Sequence, residues 1–361
     1  MKGPSEHVDS INKSISEWLQ PDNKILQESI ERTVDEGLFS FEDIKHQILA
    51  LKYALKPANI EQWIRQSGIK PNSLANRTVL CLHAGNLPLV GLQDLLAVII
   101  SGANYAGKLS KKDPYLLKSL IRTLDKQRLV KQIQCSTELE VLYGVRPDAW
   151  LFSGSEKNAT AVENLLIEQG AINPDSPSLI RTAFYSAAYI DNLANETMAH
   201  LTEAVFRYGG AGCRSVAVVV SPFGLNENKC EFTDYIESFW LKNPQHQNPP
   251  KSLEHRFAMN KSIGVNQAWL NDFIIEEGAE VPGKKFILTW LVGDFSAFSQ
   301  FVTDNKRGLQ SVYSTADYIG NYAGDSVIEP LSAAQKPPIW WRPDNIDTLS
   351  WLHENISCED P

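Results

Sequence analysis

Residues 78–109 read TVLCLHAGNLPLVGLQDLLAVIISGANYAGKL, and the order of patterns inside them decides the fold class. Thr78–Leu82 is a short, unbroken apolar run of the kind carried by a strand buried on both faces. Residues 88–101 follow as a helix, with Pro88 near its start, where proline's missing N–H is harmless. Residues 104–109 form a second strand, and another helix opens at Asp113-Pro114. Ala149–Ser153 then reads as a strand and residues 156–169 as a helix. Strands alternating with helices at this spacing predict βαβ units and a mainly parallel sheet. Ligands of such sheets sit at the carboxyl ends of the strands, so the loops 84–88, 110–113 and 153–155 are predicted to share one edge.

Before this region, residues 1–75 read as helices. Ser40 starts the clearest of them, with Asp43 three residues on as a capping partner and Ile44, Ile48, Leu51 and Leu55 as an apolar stripe. After it, strands are predicted at 215–220, 285–291 and Leu309–Ser314, and helices at 231–241 and 295–303. Residues 243–251, rich in Asn, Pro and Gln, read as a surface loop. No internal repeat or low-complexity segment is visible.

The 361 residues are two domains' worth at roughly 150 residues each. Hydrophobic content of 43% with 21% charged residues is that of an ordinary globular protein. A net charge of −9, from 34 Lys and Arg against 43 Asp and Glu, gives no overall basic field and argues against nucleic acid as a partner. The basic cluster Lys108-Leu-Ser-Lys-Lys112 still suits a phosphorylated small molecule. The five cysteines are scattered, with no Cys-x-x-Cys pair, which argues against a disulfide framework and a structural zinc site. No apolar run nears the roughly 20 residues of a membrane span. The expected location is the reducing cytoplasm.

Tyr208-Gly-Gly-Ala-Gly-Cys-Arg-Ser215 runs directly into the apolar stretch 216–220. Glycines around Cys213 let a backbone approach a substrate carbonyl, and Arg214 favours the attacking thiolate. The other reading is a small buried cysteine beside a turn. In Leu82-His-Ala-Gly-Asn-Leu-Pro88, Asn86 is placed to donate its amide to a developing oxyanion or to cap the following helix. His83 reads as a satisfied polar residue without a role. Lys108 ends a strand and Ser110 follows it, as a phosphate or ribose contact or as a solvated strand end. Phe152-Ser-Gly-Ser155 enters a helix and offers backbone N–H groups to an anion, or is simply a turn. Neither Gly-x-Gly-x-x-Gly nor a Walker motif is present.

In order and spacing, Ala84-Gly-Asn-Leu-Pro88, Gly102-Ala-Asn-Tyr-Ala-Gly-Lys108, Phe152-Ser-Gly-Ser155 and Gly210-Ala-Gly-Cys-Arg214 resemble the aldehyde dehydrogenase superfamily and, within it, the LuxC-like acyl-CoA reductases. The helical start and the tail near residues 335–352 resemble it as well. The resemblance implies an α/β, aldehyde dehydrogenase-like fold: a helical region over residues 1–75, a Rossmann-like cofactor domain over 76–206, an α/β catalytic domain over 207–325, and a segment 326–361 returning to the cofactor domain. It implies Cys213 as nucleophile, Asn86 as partner of the Cys213 backbone N–H in the oxyanion hole, Lys108 at the adenosine ribose, and Gly154 and Ser155 beneath the pyrophosphate, with Ser110 beside them. It also implies a homo-oligomer.

Two departures refine this. Hydrolytic relatives carry a general-base glutamate where this chain has Ser178-Leu-Ile-Arg-Thr182, with no carboxylate. A thioester on Cys213 is then expected to await hydride or another thiol rather than water. Glu196 and Glu203 lie nearer in sequence, but on a predicted amphipathic helix. Lys111 stands where NAD-preferring relatives carry a glutamate, and a cation there pairs with a 2′-phosphate or points, with Lys112, to solvent. The expectation is therefore an NADPH-dependent reductase of an acyl thioester, with NADH as the alternative cofactor and no metal. The same fold accommodates an acyl-phosphate reductase, a CoA-acylating aldehyde dehydrogenase, or a non-catalytic binding member. Ala334-Gln-Lys-Pro-Pro338 and Trp340-Trp-Arg-Pro-Asp344 read as structural, with Asp347 capping or pairing nearby.

Overall fold

The computed structural model describes residues 3–243, 251–270, 273–278 and 286–357, leaving aside the side chains of 227–231. It divides into two units, one comprising Met1–Thr182 with Pro337–Pro361 and the other Ala183–Lys336.

The first unit opens with four helices, α1 (Pro4–Trp18), α2 (Lys24–Asp35), α3 (Phe41–Ala54) and α4 (Pro57–Ser67). As expected, Ser40 caps α3 by accepting from the Asp43 N–H at 3.1 Å. A five-stranded sheet follows: β1 (Thr78–Leu82), β2 (Asn104–Lys108), β3 (Ile133–Ser136), β4 (Ala149–Ser153) and β5 (Ser178–Arg181). Every neighbouring pair in it is parallel, in the order β3-β2-β1-β4-β5. Helices α5 (Leu92–Ser101), α6 (Leu116–Lys126) and α7 (Glu156–Glu168) join the strands, and α12 (Thr348–Ile356) returns from the end of the chain.

Period-two alternation sorts the two faces of this sheet. Val79, Cys81, Tyr105 and Leu151 join a core with α1, α5, α6 and α12, whereas Leu80, Leu82, Ala106, Trp150 and Phe152 pack with Ala159 and Leu166 of α7. Polar pins fix α1: Trp18 Nε1 donates to Ser119 Oγ of α6 at 2.8 Å, and His7 Nε2 lies 2.7 Å from the Ile99 carbonyl of α5.

The second unit holds an eight-stranded sheet built from β6 (Tyr185–Tyr189), β7 (Val216–Ser221), β8 (Gln267–Leu270), β9 (Phe273–Glu277), β10 (Ile287–Val292), β11 (Leu309–Ser314), β12 (Tyr322–Ala323) and β13 (Ser326–Pro330). Its order is β12-β13-β11-β6-β7-β10-β9-β8, antiparallel only at the β12–β13 and β8–β9 edges. Helices α8 (Asn195–Phe206), α9 (Leu225–Lys242), α10 (Lys251–Ser262) and α11 (Phe295–Asp304) accompany it. Of the surface loop expected over 243–251, residues 244–250 lie outside the described residues, and Lys251 already begins α10.

The division falls at Thr182 and Lys336, against the expected boundaries at 206 and 325. The reason is β6, which pairs with β7 and β11 and so carries residues 185–189 into the second sheet. Among the described residues no helix is long and apolar enough to cross a membrane.

Candidate active-site elements

In the first unit, parallel pairing brings the carboxyl ends of β1, β2 and β4 side by side, with Leu82 opposite both Lys108 and Phe152. Asn86, Lys108, Ser110, Lys111, Gly154 and Ser155 therefore share one edge of this sheet. The strand order reverses between β1 and β4, the position at which open α/β sheets leave a crevice for a ligand.

The loop after β1 differs from its expected form. Helix α5 begins at Leu92 with Gly91 at its N-cap, so Pro88 lies in a turn and Asn86 caps no helix. Asn86 is exposed, while Leu89 takes φ 60°, in the left-handed region that disfavours a side chain. The Leu89 N–H donates to Asp113 Oδ2 at 2.7 Å, a contact with a residue 24 positions away that no local motif announces. His83 is buried, shares a 2.7 Å hydrogen bond with the Tyr105 hydroxyl, and lies over Gly91, where a Cβ would meet its Nδ1 at 2.2 Å. Burial pulls its imidazole down to about 4, so it is a neutral packed group near pH 7.

Lys108 is half-buried, and burial first, then Lys111, lowers its pKa from the ordinary value. Ser110 Oγ accepts from the Lys112 N–H at 3.2 Å, and its side chain abuts Gly85, where a Cβ would lie 2.2 Å from the hydroxyl oxygen. Lys111 is exposed but forms an ion pair with Glu138 at 3.1 Å. That partner follows β3, beside β2 in the sheet, so adjacency in sequence could not reveal it.

At the end of β4 the Gly154 N–H donates to the Arg181 carbonyl at 3.1 Å. It is thus engaged in the sheet rather than offered to an anion as expected. Ser155 caps α7 by accepting from Asn158 N–H at 3.3 Å, leaving the Glu156 and Lys157 N–H groups as those a helix start presents. A Cβ on Gly154 would strike Phe152 Cζ at 2.7 Å, which accounts for glycine there. Arg181, in the segment that lacks a carboxylate, is buried and donates to Asp94 Oδ1 at 2.8 Å and Thr348 Oγ1 at 2.7 Å.

Cys213 belongs to the second unit, at the amino end of β7. Between α8 and β7 the chain makes a tight turn in which Tyr208, Gly209 and Gly210 have φ of 57°, 62° and 67°. Three successive left-handed residues reverse the chain sharply, and glycine adopts that geometry without a side-chain clash. The Ser215 N–H then donates to the Gly212 carbonyl at 2.9 Å, and Ser186 Oγ holds the Cys213 carbonyl at 2.9 Å. Gln335 Nε2 bridges the Ala204 carbonyl at 3.0 Å and Ser215 Oγ at 3.4 Å, tying α8 to the start of β7. Cys213 is partly exposed, whereas Cys81 is buried. Tyr313 of β11 is fully buried, with a hydroxyl pushed up by burial and then by Glu329, against an opposing effect of Arg214. Glu203 is taken by a two-pronged pair with Arg207, both bonds 2.7 Å, while Glu196 is exposed.

The fold has counterparts among solved structures. Aldehyde dehydrogenase 21 from Physcomitrella patens, solved with the reaction product succinate, superposes with a TM-score of 0.66 at 13% identity over 98% of this chain and 84% of that one. The P. syringae indole-3-acetaldehyde dehydrogenase, solved with NAD+ and IAA, gives 0.59 at 10% identity over 87% and 72%. A methylmalonate-semialdehyde dehydrogenase from Sinorhizobium meliloti, complexed with NAD, gives 0.58 at 12% identity over 87% and 73%. No protein-family model and no curated protein matches the chain. The fold is that of the aldehyde dehydrogenases, α/β with a parallel sheet and a helical N-terminal region, as expected from the sequence.

Proposed function

We propose that the chain is a nicotinamide-dependent reductase of acyl thioesters, of the LuxC-like kind. The carrying observation is the presentation of Cys213: a partly exposed cysteine shortly after three left-handed residues, its own carbonyl anchored by Ser186. In this reading the Cys213 thiolate attacks the carbonyl carbon of an acyl-CoA, and the carbonyl oxygen gains negative charge. The C–S bond to CoA breaks, the CoA thiolate leaves, and the acyl group remains on Cys213 as a new thioester. With no carboxylate in 178–182, and Arg181 there bound to Asp94, that segment holds no base to activate water.

The carboxyl edge of the first sheet suits a dinucleotide. Lys108 offers a half-buried cation at the end of β2, Ser110 a hydroxyl beside it, and α7 a helix start opened by Ser155 where the strand order reverses. When bound, the cofactor would supply the hydride that releases the acyl group as an aldehyde. Lys111 favours the 2′-phosphate of NADPH. Its pairing with Glu138 favours NADH as a second reading, because a phosphate would have to displace or repel that carboxylate.

The test follows NADPH or NADH absorbance with acyl-CoA, with Cys213→Ala as control. Cofactor oxidation by the wild type, lost by roughly 10³-fold or more in Cys213→Ala, is expected for an essential nucleophile. Activity persisting in the variant would remove Cys213 from its role. Turnover of acyl phosphate in place of acyl-CoA would redirect the reading to the acyl-phosphate reductases, and oxidation of aldehyde with CoA to the acylating dehydrogenases. A chain that binds neither cofactor is a non-catalytic member of the fold.

A further inference from the structure

We propose that Asp113 is the positioning residue of the cofactor edge: its carboxylate pins the loop bearing Asn86 to the loop that follows Lys108, and so fixes both together. This rests on the reading of that edge as a nicotinamide site. The chain from His83 to Gly91 contains no regular element, yet it takes one definite form. Contacts with the loop after β2 help to hold it. Asp113 Oδ2 accepts from the Leu89 N–H at 2.7 Å, the residue held at φ 60°, while Oδ1 accepts from the Leu116 N–H at 3.3 Å at the start of α6. Gly85 is meanwhile pressed onto Ser110, so the two loops touch three residues before Asp113 and four before Leu89.

Asp113 is buried, and a side chain without an acceptor there would leave the Leu89 N–H unsatisfied in an apolar surround. The pin is therefore required for the strained turn between Asn86 and α5, and the Asn86 amide inherits its position from it.

The carboxyl group also responds to acid. Burial lifts Asp113 to about 6, against the N–H groups of Leu89, Leu116 and Leu117, which favour the charged form. Around it the charged groups are Lys111 and Lys112, exposed on its own loop, and Arg32 of α2 with Glu36 just past its end, which engage Tyr115 two residues on. Protonation turns one accepting oxygen into a donor and slackens the pin.

Hydrogen exchange across residues 83–91, at pH 7 and pH 5 and corrected for intrinsic rates, tests this on the whole chain. The wild type is expected to exchange faster there at pH 5 than at pH 7. Asp113→Asn should exchange equally at both, and Asp113→Leu should be faster at both by roughly tenfold or more, with β6 and β7 unchanged. Unaltered exchange at 83–91 in Asp113→Leu overturns the proposal. Should Asp113→Leu not fold, Asp113→Asn decides alone, since a pH response like the wild type's overturns it too. NADH affinity is then measured in parallel, and Asp113→Leu should bind more weakly by a similar factor. If the wild type binds neither NADH nor NADPH, the cofactor reading falls, and the exchange result still decides the pin.

Discussion

Arg181 lies in the stretch 178–182 that contains no carboxylate, and what it does there is structural. Its guanidinium reaches Asp94 and Thr348, and the Thr348 hydroxyl lies 3.2 Å from the same Asp94 oxygen, closing a buried triangle among β5, α5 and α12. A buried pair of this kind is weak support as a whole but costly to break on one side, because the partner is left charged and dry. Arg181→Ala should therefore lower stability by roughly 3–5 kcal/mol, measured by urea unfolding. Arg181→Met combined with Asp94→Leu should recover most of that loss. If the single and double variants are equally unstable, the pair is not what matters at this position.

At the scale of elements, a second carboxylate fastens α12. Asp347 caps it through the Ser350 N–H at 2.8 Å and also accepts from the Trp63 indole at 2.8 Å and Ser67 Oγ at 2.9 Å, joining α12 to α4. Asp347→Ala removes the cap and strands a buried indole N–H, so a loss of roughly 2–4 kcal/mol is expected in thermal unfolding. Asp347→Asn, which keeps one accepting oxygen, should lose less.

The same scale explains what could be read in advance. Thr78–Leu82 and Ala149–Ser153 are apolar runs between turn residues, and they fold with the bounds expected of them. The turn before Cys213 was legible because Gly209 and Gly210, at φ of 62° and 67°, mark backbone that favours glycine. By contrast β6, Tyr-Ser-Ala-Ala-Tyr, is small and half polar in sequence yet wholly buried, because it lies in the middle of its sheet. β3 and β5, four residues each, are too short to show a period. Pro88 misled because proline suits the first turn of a helix equally well as an irregular turn. What decides between them is the acceptor on Asp113, on another loop.

For the whole molecule, two buried groups of the first unit pull acid stability in opposite directions. His83 titrates at about 4 when folded against 6.5 ordinarily, so the unfolded chain takes up its proton first, and stability is lost as pH falls from about 6.5 to 4. Asp113 titrates at about 6 against 3.8, so the folded chain takes up its proton first, and stability is gained as pH falls from about 6 to 3.8. Each effect is on the order of 3 kcal/mol, and they nearly cancel. Relative to the wild type, His83→Gln should therefore gain stability between pH 7 and pH 4.5, and Asp113→Asn should lose it. Urea unfolding at the two pH values checks both, and parallel responses in the two variants would refute the opposition.

The first unit is also assembled from both ends of the chain, with the second unit lying between its parts in sequence. On the ribosome this imposes a wait. About 150 residues of the second unit must be made after Arg181 and Trp63 emerge and before Thr348 and Asp347 can meet them. At usual elongation speeds that is roughly 10–30 s, during which the second unit can complete itself while the first stands open with the apolar flank of α5 uncovered. A nascent chain halted before residue 337 should thus be a strong client for chaperones, and emergence of residues 337–356 the moment at which it ceases to be one.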